Sequence, residues 1–403
     1  MPHRQLSRFL LLPELKLLSW EKLGTSTNSC KAQKESKAEV CPRCASLSKS
    51  VYDTRRVRLK DQPVRGKQVL LTVVKRRFYC RPCKRPFTEP VPGVKKGRRT
   101  TERYRRGILW AFENFSDLKK VRREYRCSSW LVYQAVHEHL ALNLKRHLNY
   151  PWPKTIGIDE HFVSRRRGFR EFATVLVDYN HKRPRELVLG RSSGELQMAL
   201  SHIPGRENVK NVVLDLSDTY KSFAKGFFPS AELIADKFHV LRLLTPHLNR
   251  RRKLVTGDVR SNPVRKLLLI NRRRLDYFKR RALDCWLEQN PDLFELYWWK
   301  ERMHTFYRIK SSGHAERILT KITDQMAASK LPEIKTLRRT LMKWRHEILN
   351  YFRTRLTNAR TEGFNNVAKL IQKRSYGVKS FEMYRLKYLN ATGSSRLVVG
   401  CCA

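Results

Sequence analysis

The sequence predicts a multidomain protein of the mixed α+β and α/β classes, and three observations lead to that prediction. Two Cys-x-x-Cys pairs bracket a basic segment with strand-like alternation in the first quarter of the chain. Helical periodicity begins at about Glu102, and strand-like runs that alternate with helices begin at Thr155. At roughly 150 residues per domain, the 403 residues correspond to about two to three domains, and 41% hydrophobic residues are enough for packed cores.

The net charge indicates the kind of partner. The chain has 85 Lys and Arg against 36 Asp and Glu, a net charge of +49. Such an excess repels itself unless a polyanion neutralises it, so nucleic acid is the expected partner. An anionic membrane would attract the same charge, but no apolar run approaches the roughly 18 residues of a spanning helix. Pro13 and charged residues interrupt the apolar segment 9–20, which is therefore not predicted to be a signal peptide.

The cysteine pattern predicts a zinc-binding module over residues 41–95, after a short strand and polar linker over residues 1–40. The first cysteine pair is separated from the second by 35 residues. That spacing exceeds the roughly 15–20 residues of common zinc ribbons, so we expect an extended hairpin between the pairs. Four thiolates close a tetrahedral shell and leave no position for water, so the predicted Zn²⁺ is structural. Buried free cysteines are the alternative. The predicted ligands are Cys41, Cys44, Cys80 and Cys83.

Residues 96–150 are predicted to form three helices, of which the third is capped by Ser128. A helix, a short turn and a capped helix are typical of a helix-turn-helix domain, whose second helix reads bases with its N-terminal residues. A generic three-helix packing unit fits the same periodicity, but the net charge favours DNA. The candidate DNA contacts are Ser129, Trp130, Tyr133 and Gln134.

The segment from residue 151 onward predicts a mixed sheet flanked by helices. Its strand-like runs cover residues 155–158, 172–179, 185–190, 211–214 and 232–235. Asp159 and Asp215 each follow such a run, and two carboxylates after separate strands are what a two-metal phosphodiester site requires. Taken alone, however, most aspartates in such positions are helix caps or turn formers.

Five short elements in this order resemble the bacterial insertion-sequence transposases of the ISL-three family. They occupy residues 156–160, 173–178, 213–217, 235–240 and 362–377. The two cysteine pairs and the helix-turn-helix also match the layout of that family. The resemblance implies a ribonuclease-H-like catalytic domain whose first part covers residues 151–245. A helical insertion over 246–349 interrupts it, the final helices over 350–393 complete it, and residues 394–403 form a tail.

The same resemblance implies the catalytic residues. Asp159, Asp215 and Glu362 correspond to the three carboxylates of a DDE site, which holds two Mg²⁺ or Mn²⁺ ions. Glu362 as an ordinary first-turn glutamate is the alternative. Asp236 and His239 resemble an accessory D-x-x-H element, for which structural support is an equally consistent role.

The predicted insertion carries clusters of basic residues that are expected to contact the backbone of DNA. Three tryptophans of this segment, Trp286, Trp298 and Trp299, are assigned to the core rather than to stacking on bases. The expected backbone contacts are Arg250, Arg251, Arg252, Lys253, Arg272, Arg273 and Arg274.

Taken together, the resemblance implies a DNA transposase of a bacterial insertion sequence. It would bind the terminal inverted repeats and target DNA, cleave DNA and transfer the cut strand. Because two ends must be paired, we expect a homodimer or a higher oligomer on double-stranded DNA. The bacterial cytoplasm, in association with the nucleoid, is the expected location. A domesticated, catalytically inactive DNA-binding protein and a ribonuclease-H-like nuclease are the alternatives.

Overall fold

A computed structural model describes residues 14–114, 117–166, 169–257, 263–374, 378 and 380–393. The chain forms two compact units, Met1–Leu142 and Asn143–Ala403. The end of the predicted motif over 362–377 and the predicted tail over 394–403 lie outside the described residues. Among the described helices, none is both long and apolar enough to cross a membrane.

The first unit is built on a five-stranded sheet with the order β1-β2-β6-β5, in which β7 also pairs with β6. A separate two-stranded sheet pairs β3 with β4. The strands are β1 Leu15–Leu23, β2 Thr27–Lys34, β3 Glu39–Val40, β4 Leu47–Ser48, β5 Val51–Val64, β6 Lys67–Cys80 and β7 Arg85–Thr88. Strands β5 and β6 form the extended hairpin that the spacing of the cysteine pairs predicted. Arg65 and Gly66 connect them, both with positive φ, as a tight hairpin turn requires.

The polar segment after β1 is strand β2 rather than the predicted linker. Its residues alternate, so that Cys30 and Ala32 are buried beside Leu71 and Val73 while polar side chains cover the other face. Strand β2 pairs in parallel with β6. The sequence pattern concealed this strand because its buried positions carry small side chains instead of large aliphatic ones.

Three helices follow the sheet, as predicted: α1 Glu102–Asn114, α2 Leu118–Tyr125 and α3 Ser129–His147. The Ser128 hydroxyl accepts a hydrogen bond from the Leu131 amide at 3.3 Å, which confirms the predicted cap of α3. The turn before it contains Arg126 in the left-handed conformation, with φ of 41°. The Tyr104 hydroxyl donates to the Tyr125 carbonyl at 2.6 Å and thereby ties α1 to the end of α2.

The second unit contains a mixed five-stranded sheet with the order β10-β9-β8-β11-β12. Strand β9 is antiparallel to β8 and β10, whereas β8, β11 and β12 are parallel. The strands are β8 Thr155–Arg166, β9 Phe169–Asp178, β10 Arg183–Leu189, β11 Asn211–Leu214 and β12 Glu232–Ala235. Helix α4, Ser193–Leu200, lies between β10 and β11, and helix α5, Asp218–Phe227, lies between β11 and β12.

Strand β8 is longer than predicted, so Asp159 lies inside it rather than just after it. Pairing with β11 stops at Gly157, but pairing with β9 continues to Arg166. The antiparallel partner keeps the backbone extended beyond the parallel part of the sheet. Asp159 therefore lies at the point where β8 loses one of its two neighbours.

After β12, the regular elements of the described residues are helices, numbered α6 to α15. The helices are α6 Lys237–Arg242, α7 Thr245–Thr256, α8 Pro263–Leu269, α9 Tyr277–Glu288, α10 Pro291–Phe306, α11 Ser312–Ala327, α12 Pro332–Lys343, α13 Arg345–Thr354, α14 Ala359–Arg374 and α15 Phe381–Gly393. The predicted boundaries at 245/246 and 349/350 fall inside α7 and α13. One hydrophobic core joins the sheet to these helices; Trp299 is buried in it, while Trp286 and Trp298 pack against it. The prediction that these tryptophans belong to the core is confirmed for Trp299, and Trp286 and Trp298 are partly buried at the edge of that core.

Candidate active site and zinc site

Four cysteines of the first unit converge on one point, as their spacing predicted. The Sγ atoms of Cys41 and Cys83 are 4.0 Å apart, and those of Cys44 and Cys80 are 3.4 Å apart. All four Sγ atoms lie within 4.8 Å of one another. Tetrahedral Zn–S bonds of about 2.3 Å separate neighbouring sulfurs by about 3.8 Å, so these four cysteines fit one zinc ion.

The backbone turns in the same way after each cysteine pair. Ala45 and Lys84 follow the second cysteine of their pairs and have φ of 58° and 50°. The Ala45 amide donates to the Cys41 carbonyl at 3.0 Å, which closes the first turn. A hydrogen bond from the Ser46 side chain lowers the pKa of Cys44 to about 6 and so favours the thiolate that a metal binds.

In the second unit, the structure brings together Asp159, Asp215 and His239. One ligand atom from each of the three lies within 4.8 Å of the others. The aspartates meet because β8 and β11 are paired in register: Val213 lies opposite Gly157, and each aspartate comes two residues later. His239 is on α6, which begins directly after Asp236 at the end of the neighbouring strand β12.

The electrostatics of this cluster favour a cation. Burial raises the pKa of Asp215 to about 6, and the negative charge of Asp159 contributes to the same shift. Burial likewise raises the pKa of Asp159. The buried Asp215 Oδ1 has no hydrogen-bond partner among the described residues. Two partly buried carboxylates with an unsatisfied oxygen fit Mg²⁺ or Mn²⁺, which prefer oxygen ligands.

Asp236 connects His239 to Asn358, the residue just before helix α14. Its carboxylate accepts hydrogen bonds from His239 Nδ1 at 2.9 Å and from the Asn358 amide at 2.8 Å. The first of these hydrogen bonds raises the pKa of His239. It also orients the imidazole and leaves Nε2 as the available ring nitrogen. Asp236 therefore lies next to His239 and supports its position in the site.

Glu362 lies outside the three-residue cluster. It is on the first turn of α14 with its side chain 56% exposed, and its carboxylate is 3.8 Å from the Arg242 guanidinium. Asn365, one turn further along α14, donates from Nδ2 to Asp159 Oδ2 at 3.0 Å. Sequence reasoning assigned no role to Asn365; the signal available was its position three residues after Glu362, on the same helix face.

Helix α14 is held closely against β8. Asn358 Nδ2 donates to the Ile158 carbonyl at 3.0 Å, just before the helix begins. A Cβ atom on Gly157 would lie 2.7 Å from Thr361 Oγ1 and 2.8 Å from Asn358 Oδ1. The absence of a side chain at residue 157 thus permits the close approach that brings Asn365 to Asp159.

The candidate DNA contacts on α3 lie on its first two turns. Trp130 and Tyr133 are 69% and 40% exposed, and Ser129 and Gln134 are half-buried. The inner face of the same helix buries Val132, Ala135 and Val136. The predicted reading face is therefore on the surface of the first unit.

Six of the seven predicted basic contacts divide into an exposed group and a group paired with carboxylates. Arg250, Lys253, Arg273 and Arg274 are exposed. Arg251 binds the carboxylates of Glu333 and Asp292, and Arg272 forms two hydrogen bonds with Asp284.

The expectation for Arg252 is corrected by its burial. The side chain is 1% exposed and its guanidinium donates to Asn249 and Thr256 on its own helix. These hydrogen bonds satisfy N–H groups of the buried guanidinium, and its burial makes Arg252 unavailable to a phosphate.

Comparisons with known proteins agree with this arrangement. Residues 156–388 match a protein family described as transposase, and residues 37–83 match the zinc-finger of transposases of IS204, IS1001, IS1096 and IS1165. The chain is 24% identical over 384 residues to the transposase for insertion sequence element IS1001 of Bordetella parapertussis, which covers 92% of this chain and 93% of that protein.

The fold, the zinc ribbon and the carboxylate cluster, together with these matches, define an enzyme of the DDE transposase class. The chain belongs to the ISL-three family of transposases, and it is a DNA transposase of an insertion sequence. The family resemblance inferred from the sequence is thereby confirmed.

Proposed function

We propose that Asp159, Asp215 and Glu362 form the catalytic triad of this transposase, within a ribonuclease-H-like domain. The observation that carries the proposal is the meeting of Asp159 and Asp215 at one sheet edge, with an unsatisfied buried oxygen on Asp215. The sheet order supports the ribonuclease-H-like assignment, since three antiparallel strands precede two parallel ones added on the other side of β8.

The two aspartates would hold Mg²⁺ or Mn²⁺, two ions per site. When bound, such ions supply an activated nucleophile and stabilise the leaving oxygen of a phosphodiester. Asp159 and Asp215 contribute the negative charge, and a cation offsets the free energy that their burial costs. Asp236 holds His239 in one orientation, so that His239 can contact a phosphate oxygen or hold a proton at Nε2.

Glu362 would complete the triad by a change of side-chain rotamer. It shares a face of α14 with Asn365, whose amide already contacts Asp159. Its present ion pair with Arg242 is long, at 3.8 Å between exposed side chains. Exposed pairs of this kind contribute only about 0–1 kcal/mol, so the contact with Arg242 is easily exchanged for one with a metal ion.

The DNA partners follow from the surface residues. We propose that α3 reads the terminal inverted repeats through Trp130 and Tyr133, together with Ser129 and Gln134 at its N-terminal end. Exposed basic residues of the second unit would contact backbone phosphates. These basic residues are Arg250, Lys253, Arg273 and Arg274.

We further propose that the pairing of two element ends requires a homodimer or a higher oligomer on DNA, active at the bacterial nucleoid.

The test uses linear DNA that carries the terminal repeats, incubated with Mg²⁺ and mapped for breaks to the nucleotide. Asp159→Asn, Asp215→Asn and Glu362→Gln should each lower cleavage at the element boundary by about 10³-fold, because each removes a ligand of a charge-stabilising ion. Asp324→Asn, which changes an exposed carboxylate on α11, is the matched control and should cut like the wild type.

The outcomes separate the alternatives. Metal-dependent cleavage with joining of pre-cleaved ends supports the transposase mechanism, and cleavage without joining indicates a nuclease. Tight binding without any cleavage or joining indicates an inactive DNA-binding protein. Wild-type cleavage by the three variants, shown to be folded and bound to DNA, would refute the proposed triad.

A further inference from the structure

Two adjacent aromatic side chains lie exposed at the start of α9. Tyr277 and Phe278 are 73% and 81% exposed, and their rings contact each other edge to face with centroids 5.6 Å apart. They are not needed for the core, because α9 buries Leu283 and Leu287 instead. The exposure of large apolar side chains to water is unfavourable, and a flat apolar partner that covers them lowers the free energy.

The surroundings of this pair are strongly basic. Residues 272–281 contain six Lys or Arg and a single acid, Asp276. Asp276 is paired with Lys279, and Arg272 is held by Asp284. Arg273, Arg274 and Arg281 lie within four residues of the aromatic pair along the chain and are exposed. A partner that covers the aromatic pair must therefore carry negative charge close to flat apolar groups.

An open cleft of about 490 Å³ lies next to this segment. Its described lining includes no acidic residue, and four of its side chains are basic: Arg273, Arg308, Lys310 and His314. Arg355 donates to the carbonyl of Ile309 at 2.8 Å and to that of Lys310, which holds the loop that forms one wall. A loop held in this way, beside several basic side chains and no acidic one among the described lining residues, is suited to phosphate groups.

The cleft and the aromatic pair are close along the chain. Arg273 lines the cleft and precedes Tyr277 by four residues, which span at most about 14 Å. The Arg280 guanidinium donates to the carbonyls of Leu275 at 2.9 Å and Arg273 at 3.4 Å, so the segment between them is folded back and constrained. At about 3.4 Å per stacked nucleotide, that upper limit corresponds to at most about four nucleotides of one strand.

We propose that Tyr277 and Phe278 stack on unpaired bases of single-stranded DNA whose phosphates occupy the cleft lined by Arg273 and Arg308. Bases provide the flat apolar faces and phosphates the negative charge that this surface requires, and stacking on aromatic side chains accepts any base. The single strand is supplied by the element end that the catalytic site opens, so the biological role of this surface rests on the proposed function. A second copy of the chain is the rival occupant, but its net charge of +49 opposes its docking on a basic surface.

The experiment measures the binding of the full chain to two labelled duplexes by fluorescence anisotropy, without added Mg²⁺ so that no strand is cut. One duplex is blunt and the other ends in a short single-stranded overhang. Tyr277→Ala combined with Phe278→Ala should weaken binding to the overhang DNA by about 5- to 140-fold per lost stack and leave the blunt duplex unaffected. Leu254→Ala, which removes another exposed apolar side chain (82% exposed), should change neither affinity.

A rescue variant and a crosslink make the role specific. Exchanging the two rings, Tyr277→Phe with Phe278→Tyr, should restore binding to the overhang. A 5-iododeoxyuridine base in the overhang should crosslink under ultraviolet light to a peptide that contains Tyr277 or Phe278. Arg273→Ala with Arg308→Ala should reduce the salt dependence of overhang binding, by about 0.7 in the log–log slope for each lost phosphate contact.

Three outcomes would overturn the proposal: wild-type affinity of the alanine double variant for the overhang, an equal loss on both duplexes, or a lost dimer in sedimentation with DNA affinity unchanged. The last outcome would assign the surface to a second copy of the chain. Because the assay scores binding and no cleavage, a failure of the catalytic triad proposed above does not alter its readout. The proposal on overhang binding and the proposal on the catalytic triad are therefore tested independently.

Discussion

Asp215→Asn should stabilise the metal-free protein and, at the same time, lower DNA cleavage by about 10³-fold. Asp215 lies beside Asp159 at a buried sheet edge, where burial and the neighbouring negative charge raise its pKa to about 6. Ionisation of this carboxylate is therefore less favourable in the folded protein than in the unfolded chain. Asparagine keeps the shape of the side chain and cannot ionise, so it removes that cost together with the metal ligand.

The magnitude follows from the shift in pKa. The ordinary pKa of the group is 3.8, so the change to about 6 corresponds to about 3 kcal/mol at 1.36 kcal/mol per unit. Because the pKa in the folded state is the higher one, the penalty is absent below about pH 4, grows as the pH rises through about 6 and is constant above. We expect Asp215→Asn to raise the free energy of unfolding by about 1–3 kcal/mol near pH 7.5, and by much less near pH 4.5.

The assay is urea denaturation of the zinc-loaded protein without added Mg²⁺, followed by tryptophan fluorescence at both pH values. Asp218→Asn, which changes a carboxylate with 65% exposure three residues further along, should leave the free energy of unfolding unchanged. Added Mg²⁺ should stabilise the wild type and have no effect on Asp215→Asn. Equal or lower stability of Asp215→Asn at the higher pH would refute the view that Asp215 is strained in the absence of a cation.

Three further outcomes are expected. Cys80→Ser should eliminate one bound zinc per chain, measured by metal analysis, and unfold the first unit, whereas Cys285→Ser, which changes an exposed thiol, should retain the metal. Gly157→Ala should lower cleavage at least tenfold and destabilise the protein by about 1–3 kcal/mol, because the new methyl group would push α14 away; normal cleavage would show that the close approach is dispensable. Asp61→Asn should lower the stability of the first unit by about 3 kcal/mol in thermal melts, since buried Asp61 accepts hydrogen bonds from Thr101 and Arg103, and an unchanged melting temperature would contradict this.

Local patterns were sufficient for many elements of the fold. Strands β11 and β12 have the bounds that their apolar runs predicted, because a short, fully buried parallel strand is a continuous hydrophobic run. The cap of α3 and the two cysteine pairs were equally readable, since a cap or a metal knuckle involves residues only a few positions apart. Strand β2 escaped detection because its burial depends on neighbours more than 30 residues away.

The candidate site was readable in part. The aspartates could be proposed from the ends of apolar runs and from a family resemblance, but the extension of β8 beyond Asp159 depends on its pairing with β9. The contact between Asn365 and Asp159 joins residues 206 positions apart. The buried Arg252 forms hydrogen bonds within its own helix, and the run of basic residues around it in the sequence does not indicate these hydrogen bonds.

By itself, the sequence determined the charge that indicates a nucleic-acid partner, the four zinc-binding cysteines and the order of most helices and strands. These features depend on composition or on residues that are near neighbours in the chain. Only the tertiary structure decided that His239 joins two aspartates, that Asn365 touches one of them and that Tyr277 and Phe278 are exposed beside a basic cleft. Such features arise where distant segments pack together, and hydrophobic burial determines which side chains meet there and which remain in water.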